Sequence, residues 1–291
     1  MGQGSISEFA DTASGREFRD RYDRVLGKWP GPVEGVDATT RHGTTRVNVC
    51  GPVEAPPVVL LPGGRATSTS WFAVAGDLAA THRVFAVDLL GDLGRSVVGE
   101  GPRTVEDLMV WLADVLDALG LGAVALVGHS YGGMVALAFA TRHPERVDRL
   151  VLLDPNSCFA GMRTGFLLRA LPLLLRPTAA RQRALIGWET AGSEVDPDWL
   201  DLVAHGAEHF PTTRPVVPKR PRRRDLGQIR CPTTVVLAEL SRIHDIRRVR
   251  AGVRKALPGA RTAVLSGASH YTLPMAPAAE LITVLSDALR E

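Results

Sequence analysis

Between residues 46 and 155, short apolar, β-branched runs alternate with stretches of helical period, and that alternation leaves few folds open. "RVNVCG" (46–51), "PPVVLLPGG" (56–64), "RVFAVDLLG" (83–91), "AVALVG" (123–128) and "VDRLVLLDP" (147–155) read as strands. "WFAVAGDLAA" (71–80), "TVEDLMVWLADVLDALG" (104–120) and "SYGGMVALAFATRHP" (130–144) read as helices. The second strand is apolar at successive positions, so both of its faces must be covered, as in a parallel sheet. The helix over 104–120 opens on a threonine cap followed by acids, and the helix over 130–144 is stopped before Pro144. The pattern predicts an α/β fold: a mostly parallel central sheet flanked by helices.

The rhythm breaks over 156–225, where strand runs give way to Leu-rich helical stretches, Trp188, Trp199 and many prolines. It resumes with "TTVVLAEL" (233–240), a helix around 246–257, "ARTAVLSG" (260–267) and a helix from about 278. The expected organisation is an N-terminal extension and helix (1–30), a core split over 31–155 and 226–291, and a helical insertion, 156–225. At 291 residues, 45% of them hydrophobic, the chain can bury one large core.

Charge narrows the partners. Lys+Arg number 34 against 31 Asp+Glu, a net of +3, and the basic residues are mostly dispersed, so no nucleic-acid partner is expected. The one basic run, "KRPRRR" (219–224), contains Pro221 and reads as a solvated loop. Cys50, Cys158 and Cys231 are far apart and lack metal-ligand spacing, which argues against a disulfide framework or zinc site and fits the cytoplasm. "FLLRALPLLLR" (166–176) is too short to span a bilayer and carries Arg169 and Pro172, so no membrane partner is expected. The opening "MGQGSISEFADTASG" has no apolar segment of a secretory leader, misses a myristoylation pattern at Ile6, and is small and polar enough to be disordered. Neither a metal-ligand cluster nor a nucleotide-binding glycine pattern occurs, and no cofactor is expected.

The chemistry concentrates in "GHSYG" (128–132), a G-x-S-x-G pattern between a strand and a helix. Such a turn strains the serine backbone and needs small neighbours, here Gly128 and Gly132. It lifts the Ser130 hydroxyl above the sheet edge, beside the free N–H groups of a helix N-terminus. Ser130 is the candidate nucleophile.

With these motifs the chain resembles the α/β-hydrolase family, particularly its esterase-like branch with a helical cap. "VVLLPGG" (58–64) resembles the family's oxyanion strand, with Pro62 where a histidine is usual; "AVDLLGDLGRS" (86–96), "HPERVDRLVLLDP" (143–155) and "LSGASHYTLP" (265–274) resemble its Asp-rich turn, the strand after the nucleophile helix, and the late histidine loop. The resemblance implies that Ser130 attacks an acyl carbon, that His270 takes its proton, and that the N–H groups of Gly64 and Tyr131 form the oxyanion hole. A serine rather than an aspartate nucleophile argues against haloalkane dehalogenases and epoxide hydrolases. His129 is expected to point away, and His42, His82, His143, His205, His209 and His244 to be structural. The family's usual acid position holds Ser241. Three carboxylates compete for the role: Asp154 at the end of the strand after the nucleophile helix, Asp245, which also suits a helix N-cap, and Glu239. Asp154 is favoured.

The implied activity is hydrolysis of a carboxylic ester of a small or medium apolar substrate through an acyl-enzyme. A thioesterase or acyl-transfer enzyme of a biosynthetic pathway, or a non-catalytic small-ligand receptor, stand as alternatives. Phe166, Leu167, Leu171, Trp188 and Trp199 read one by one as the cap's own core, and together suggest an apolar pocket.

Overall fold

The strand runs join in one sheet. In this computed structural model, which describes residues 6–211 and 213–290, the strands are β1 (Glu34–Thr40), β2 (Gly43–Cys50), β3 (Pro57–Leu61), β4 (Arg83–Val87), β5 (Val97–Val98), β6 (Val124–His129), β7 (Val147–Leu153), β8 (Thr233–Ala238) and β9 (Arg261–Leu265). Their order is β1-β2-β4-β3-β6-β7-β8-β9, with β5 paired to β2. From β4 to β9 every pairing is parallel. An antiparallel hairpin of β1 and β2 extends one edge.

The two-residue period of a strand divides the core into two layers. Val59 and Leu61 of β3 join Leu126, Leu150 and Leu152 under α4 (Val105–Ala118), α5 (Ser130–Arg142) and α10 (Ile246–Ala256). Val58 and Leu60 join Val127, Val151 and Leu153 under α3 (Ala75–Ala79) and α11 (Ala278–Arg290). Both layers are closed to water, which is why these strands read as continuous apolar runs. Helix α4 starts where the sequence signals it: Thr104 and Asp107 cap each other's backbone N–H groups.

Three helices, α6 (Thr164–Leu175), α7 (Ala179–Glu189) and α8 (Pro197–His209), leave the sheet after β7, and α9 (Arg223–Leu226) leads back to β8. Against α8 lie the N-terminal helices α1 (Ile6–Ala10) and α2 (Ala13–Leu26). Phe18, Tyr22 and Val25 pack with Trp199, Leu202 and Phe210. Arg21 pairs with Asp201 at 2.8 Å and Lys28 with Asp196 at 2.6 Å. The expected disorder at the N-terminus is therefore corrected from residue 6 onward; residues 1–5 lie outside the described residues.

Other expectations also need correction. The helix expected over 71–80 is a 3-10 turn at Ser68–Trp71 and a short helix at Ala75–Ala79. Its entry is diverted by local hydroxyl bonds, Ser70 to the Thr67 carbonyl at 2.9 Å and Thr67 with Thr69 at 2.6 Å, which compete with helical backbone pairing. β1 has too few apolar residues to register as a strand, because only Ala38 of its seven residues is buried. Leu167 and Leu171 are not interior: they are 44% and 47% exposed, while Phe166 and Trp199 are buried.

Candidate active site

The turn from β6 into α5 presents Ser130. Its φ is +53°, left-handed backbone that a non-glycine residue adopts only when its surroundings force it. Neighbouring backbone supplies that force. A Cβ on Gly128 would meet the Gly132 carbonyl oxygen at 2.4 Å, and one on Gly132 would meet the carbonyl oxygens of Leu61 and Pro62, each at 2.4 Å. The two glycines let β6, α5 and the end of β3 interlock, and the interlock holds the serine above the sheet.

His270, in the loop after β9, reaches Ser130 from the side. Its Nε2 is 2.8 Å from Ser130 Oγ, and its Nδ1 is 2.6 Å from Asp154 Oδ2. Donation of the Nδ1 proton to the carboxylate leaves Nε2 free to accept from the serine. Asp154 stands just beyond β7, also at positive φ, +39°. All three side chains are buried. Burial by itself would raise the Asp154 pKa, but the hydrogen bond and charge of His270, then His244 and the Ser241 hydroxyl, hold it below the ordinary carboxylate value.

The other two carboxylates are occupied elsewhere. Asp245 caps α10, accepting from the N–H groups of Arg247 and Arg248 at 3.0 and 3.2 Å. Glu239 is exposed and accepts from Gly267 N–H at 3.0 Å. Of the three, Asp154 is the one the fold brings to His270.

Gly64 lies against Tyr131: a Cβ on Gly64 would stand 3.4 Å from Tyr131 Cβ. The next residue, Arg65, has φ +59° and donates its N–H to Asp92 Oδ2 at 2.8 Å, so Asp92 fixes the loop that carries Gly64. The Tyr131 hydroxyl donates to the Val216 carbonyl at 2.6 Å.

Three further residues, His129, Glu189 and His244, pack around His270. His129 donates Nε2–H to the His270 carbonyl at 3.0 Å, and burial first, then the adjacent His270, push its pKa down to about 3. It is turned from the serine hydroxyl, yet it braces the histidine loop. Glu189, at the end of α7, takes the N–H groups of His270, Tyr271 and Arg242, each at 3.1 Å. His244, expected to be an ordinary structural histidine, is 2% exposed, with its ring 6.0 Å from that of His270. Asp154, His244 and His270 have ligand-type atoms within 4.8 Å of one another. Two of the three, Asp154 and His270, are already hydrogen-bonded to each other at 2.6 Å.

Above Ser130 is a cavity of about 470 Å³. Its floor includes Gly64, Ser130 and His270, and its roof includes Phe166, Leu174, Trp199 and Val203 from the inserted helices.

Comparison with known proteins agrees with this geometry. The chain is 29% identical over 271 residues to Carboxylesterase YbfK of Bacillus subtilis, covering 90% of each chain. The crystal structure of that enzyme (CesB) superposes with a TM-score of 0.87 at 28% identity, over 94% of this chain and 98% of the other. The crystal structure of naproxen esterase from the same organism superposes with a TM-score of 0.88 at 27% identity, over 95% and 98%. Residues 58–284 match the alpha/beta hydrolase family model, more than half of the sequence; with the sheet order and the serine turn described above, the chain belongs to the alpha/beta hydrolase family.

Proposed function

We propose that Ser130, His270 and Asp154 are the working triad of this carboxylic-ester hydrolase, and that the N–H groups of Gly64 and Tyr131 form its oxyanion hole. The observation that carries this reading is the His270 imidazole, held between the Ser130 hydroxyl at 2.8 Å and the Asp154 carboxylate at 2.6 Å.

A serine hydroxyl is a weak nucleophile until a base takes its proton. As Oγ bonds to the acyl carbon, its proton passes to His270 Nε2. The imidazolium that forms is stabilised by Asp154, and the carbonyl oxygen, now negative, accepts from the two backbone N–H groups. When the tetrahedral intermediate collapses, the bond to the alcohol oxygen breaks and Nε2 returns its proton to that oxygen. Water then enters, gives a proton to Nε2 and its oxygen to the acyl carbon. Collapse of the second intermediate frees the carboxylic acid, and the proton returns to Ser130.

The cavity of about 470 Å³ lies within the usual range for small-molecule sites, and its apolar roof favours a small or medium apolar ester. The naproxen esterase likeness supports a substrate of that size class. In this division of labour, 31–155 and 226–291 carry the chemistry, 156–225 selects the substrate, and 1–30 anchors the selecting helices. The three unpaired cysteines support work in the cytoplasm.

A fluorophosphonate probe tests the reading. Labelling at Ser130, lost in Ser130→Ala together with up to about a million-fold of turnover on a p-nitrophenyl ester, is the expected result. Labelling that persists in the variant would remove the assignment.

A further inference from the structure

Helix α6 has two apolar faces and only one partner. Phe166, Ala170 and Leu173 point inward and pack with Leu185 and Ile243. Roughly 130° around the helix, at about 100° per residue, a second stripe of Leu167, Leu168, Leu171, Leu174 and Leu175 is exposed, with Leu168 at 66% and Leu175 at 76%. Half of the ten large hydrophobic residues exposed among the described residues belong to this one helix. A stripe of that kind on a water-facing helix costs solubility and implies something that covers it.

The charge around the stripe says what covers it. From Pro155 to Trp188 the chain has no Asp or Glu, but it has Arg163, Arg169, Arg176, Arg181 and Arg183. Asp201 pairs with Arg183 at 2.7 Å, Asp245 approaches Arg163, and Arg169 lies over the Trp188 ring at 5.4 Å on the side of the helix away from the stripe; Arg176 and Arg181, whose guanidinium donates to the Arg176 carbonyl at 2.8 Å, leave the C-terminal end of the stripe positive. The basic run 219–224 adds to this charge at the start of the same segment: Arg220 donates to the Ser157 carbonyl at 2.9 Å. Two copies of this chain meeting stripe to stripe would bring like charges together. An apolar helix face with arginines at its C-terminal end complements an anionic lipid surface, where leucines enter the headgroup boundary and arginines meet phosphates. The stripe is continuous with the cavity above Ser130, because Leu174 belongs to both and Phe166 lines the cavity from the same helix.

We propose that α6 docks the protein on anionic phospholipid bilayers through its exposed leucine stripe and the arginines at its C-terminal end, Arg176 and Arg181, with the mouth of the Ser130 cavity beside the lipid. Docking of this kind is peripheral; no helix among the described residues is long and apolar enough to cross a membrane. It does not rest on the ester-hydrolase reading, since binding is measured without turnover.

The test is flotation of the full chain with vesicles of phosphatidylglycerol and phosphatidylcholine, and with phosphatidylcholine alone. The protein is expected to float with the anionic vesicles and to be released as salt rises. Leu168→Asp/Leu175→Asp, at two positions outside the cavity lining, is expected to weaken binding at least ten-fold while turnover of a soluble short ester stays within two-fold. Arg176→Glu is expected to weaken it by about five-fold for each positive charge removed from the surface. Failure of the unmodified protein to float would overturn the proposal. So would equal flotation with neutral vesicles, or a dimer in light scattering that the double variant dissolves while vesicle binding is absent.

Discussion

Ser241 donates its hydroxyl to Asp154 Oδ2 at 2.9 Å. The residue at the family's usual acid position thus hydrogen-bonds the carboxylate that the fold brings to His270 from the neighbouring strand end. β7 and β8 pair in parallel up to Leu153 and Val236, so the chain leaving β7 and the chain leaving β8 end side by side. A carboxylate on either can approach the same imidazole. Here the aspartate is on one and the serine on the other, with the serine oriented to support it.

Exchange of the two roles is measurable. Asp154→Asn should keep the fold and lower kcat/KM by up to about ten-thousand-fold, because an amide leaves the imidazolium unstabilised and disturbs the histidine tautomer. Ser241→Ala should cost activity about ten- to a hundred-fold, far less than Asp154→Asn, since one hydrogen bond to a charged group contributes about 1.5–3 kcal/mol and His270 remains. Asp245→Asn should weaken the start of α10 and leave turnover close to normal. Steady-state kinetics with thermal melts on all three would reject the assignment of the acid if Asp245→Asn were disabled and Asp154→Asn active.

The serine turn makes a prediction about stability. Gly132→Ala puts a methyl group 2.4 Å from two backbone carbonyl oxygens at the end of β3. Backbone yields less than a side-chain tip, so the strand end or the helix start must shift. Overpacking of this sort costs about 1–3 kcal/mol, and the displaced helix start should move Ser130 from His270. The expected variant is less stable in urea and more impaired in labelling rate than its stability loss explains. A variant with unaltered stability and labelling would show that the interlock is dispensable.

Glu189 links the inserted helices to His270. Its Oε1 accepts from the N–H groups of Arg242 and His270, and its Oε2 from that of Tyr271. Glu189→Gln keeps the size and one acceptor oxygen, but its amide NH2 must then face an N–H. An unsatisfied buried donor costs about 1–3 kcal/mol. The variant should melt earlier, and its fluorophosphonate labelling should slow at temperatures where it remains folded. Slowing without a change in melting would place the effect on His270 alignment; no change in either would contradict the bracing role.

Most of the sheet was legible in sequence because its strands are buried on two faces, and two-sided burial leaves an uninterrupted apolar run such as "VVLL" in β3. β1 was not legible: an edge strand with solvent on one side carries Thr, Asp and Gly without penalty. Ser130 and His270 were legible because a glycine-flanked elbow and a late loop histidine follow local backbone rules. The proposed acid was harder, since Asp154 and Ser241 are 87 residues apart and meet only through strand pairing. Glu189 was invisible for the same reason, its partners being 53 to 82 residues away. The leucines of α6 misled because helical period reports that a residue is apolar, while the presence of a packing partner is decided by tertiary structure.

His244 supplies the last prediction, one of acid stability. Its ring is buried beside Asp154 and His270, and neither ring nitrogen has a partner in good hydrogen-bond geometry, the Gly161 backbone offering only a marginal contact. Burial is the main cause of a pKa pushed down to about 4; the Asp154 charge opposes the shift and His270 adds to it. The unfolded chain takes up this proton below about pH 6.5, whereas the folded chain resists it until about pH 4. Stability is therefore full above about pH 6.5 and is lost as the pH falls from there toward 4, by about 3 kcal/mol in all. His129, pushed down to about 3, acts in the same direction. Asp154 acts in a lower window: its depressed pKa stabilises the fold above the ordinary carboxylate value near 3.9 and that contribution is lost only as the pH falls through its folded value. His244→Leu removes the titrating ring at similar volume. Urea unfolding at pH 7.5 and pH 4.5 should then differ less in the variant than in the unmodified protein, by about 2–3 kcal/mol, with the same dependence on urea at each pH. An acid-side loss as steep in His244→Leu as in the unmodified chain would show that His244 is not what the folded state keeps neutral.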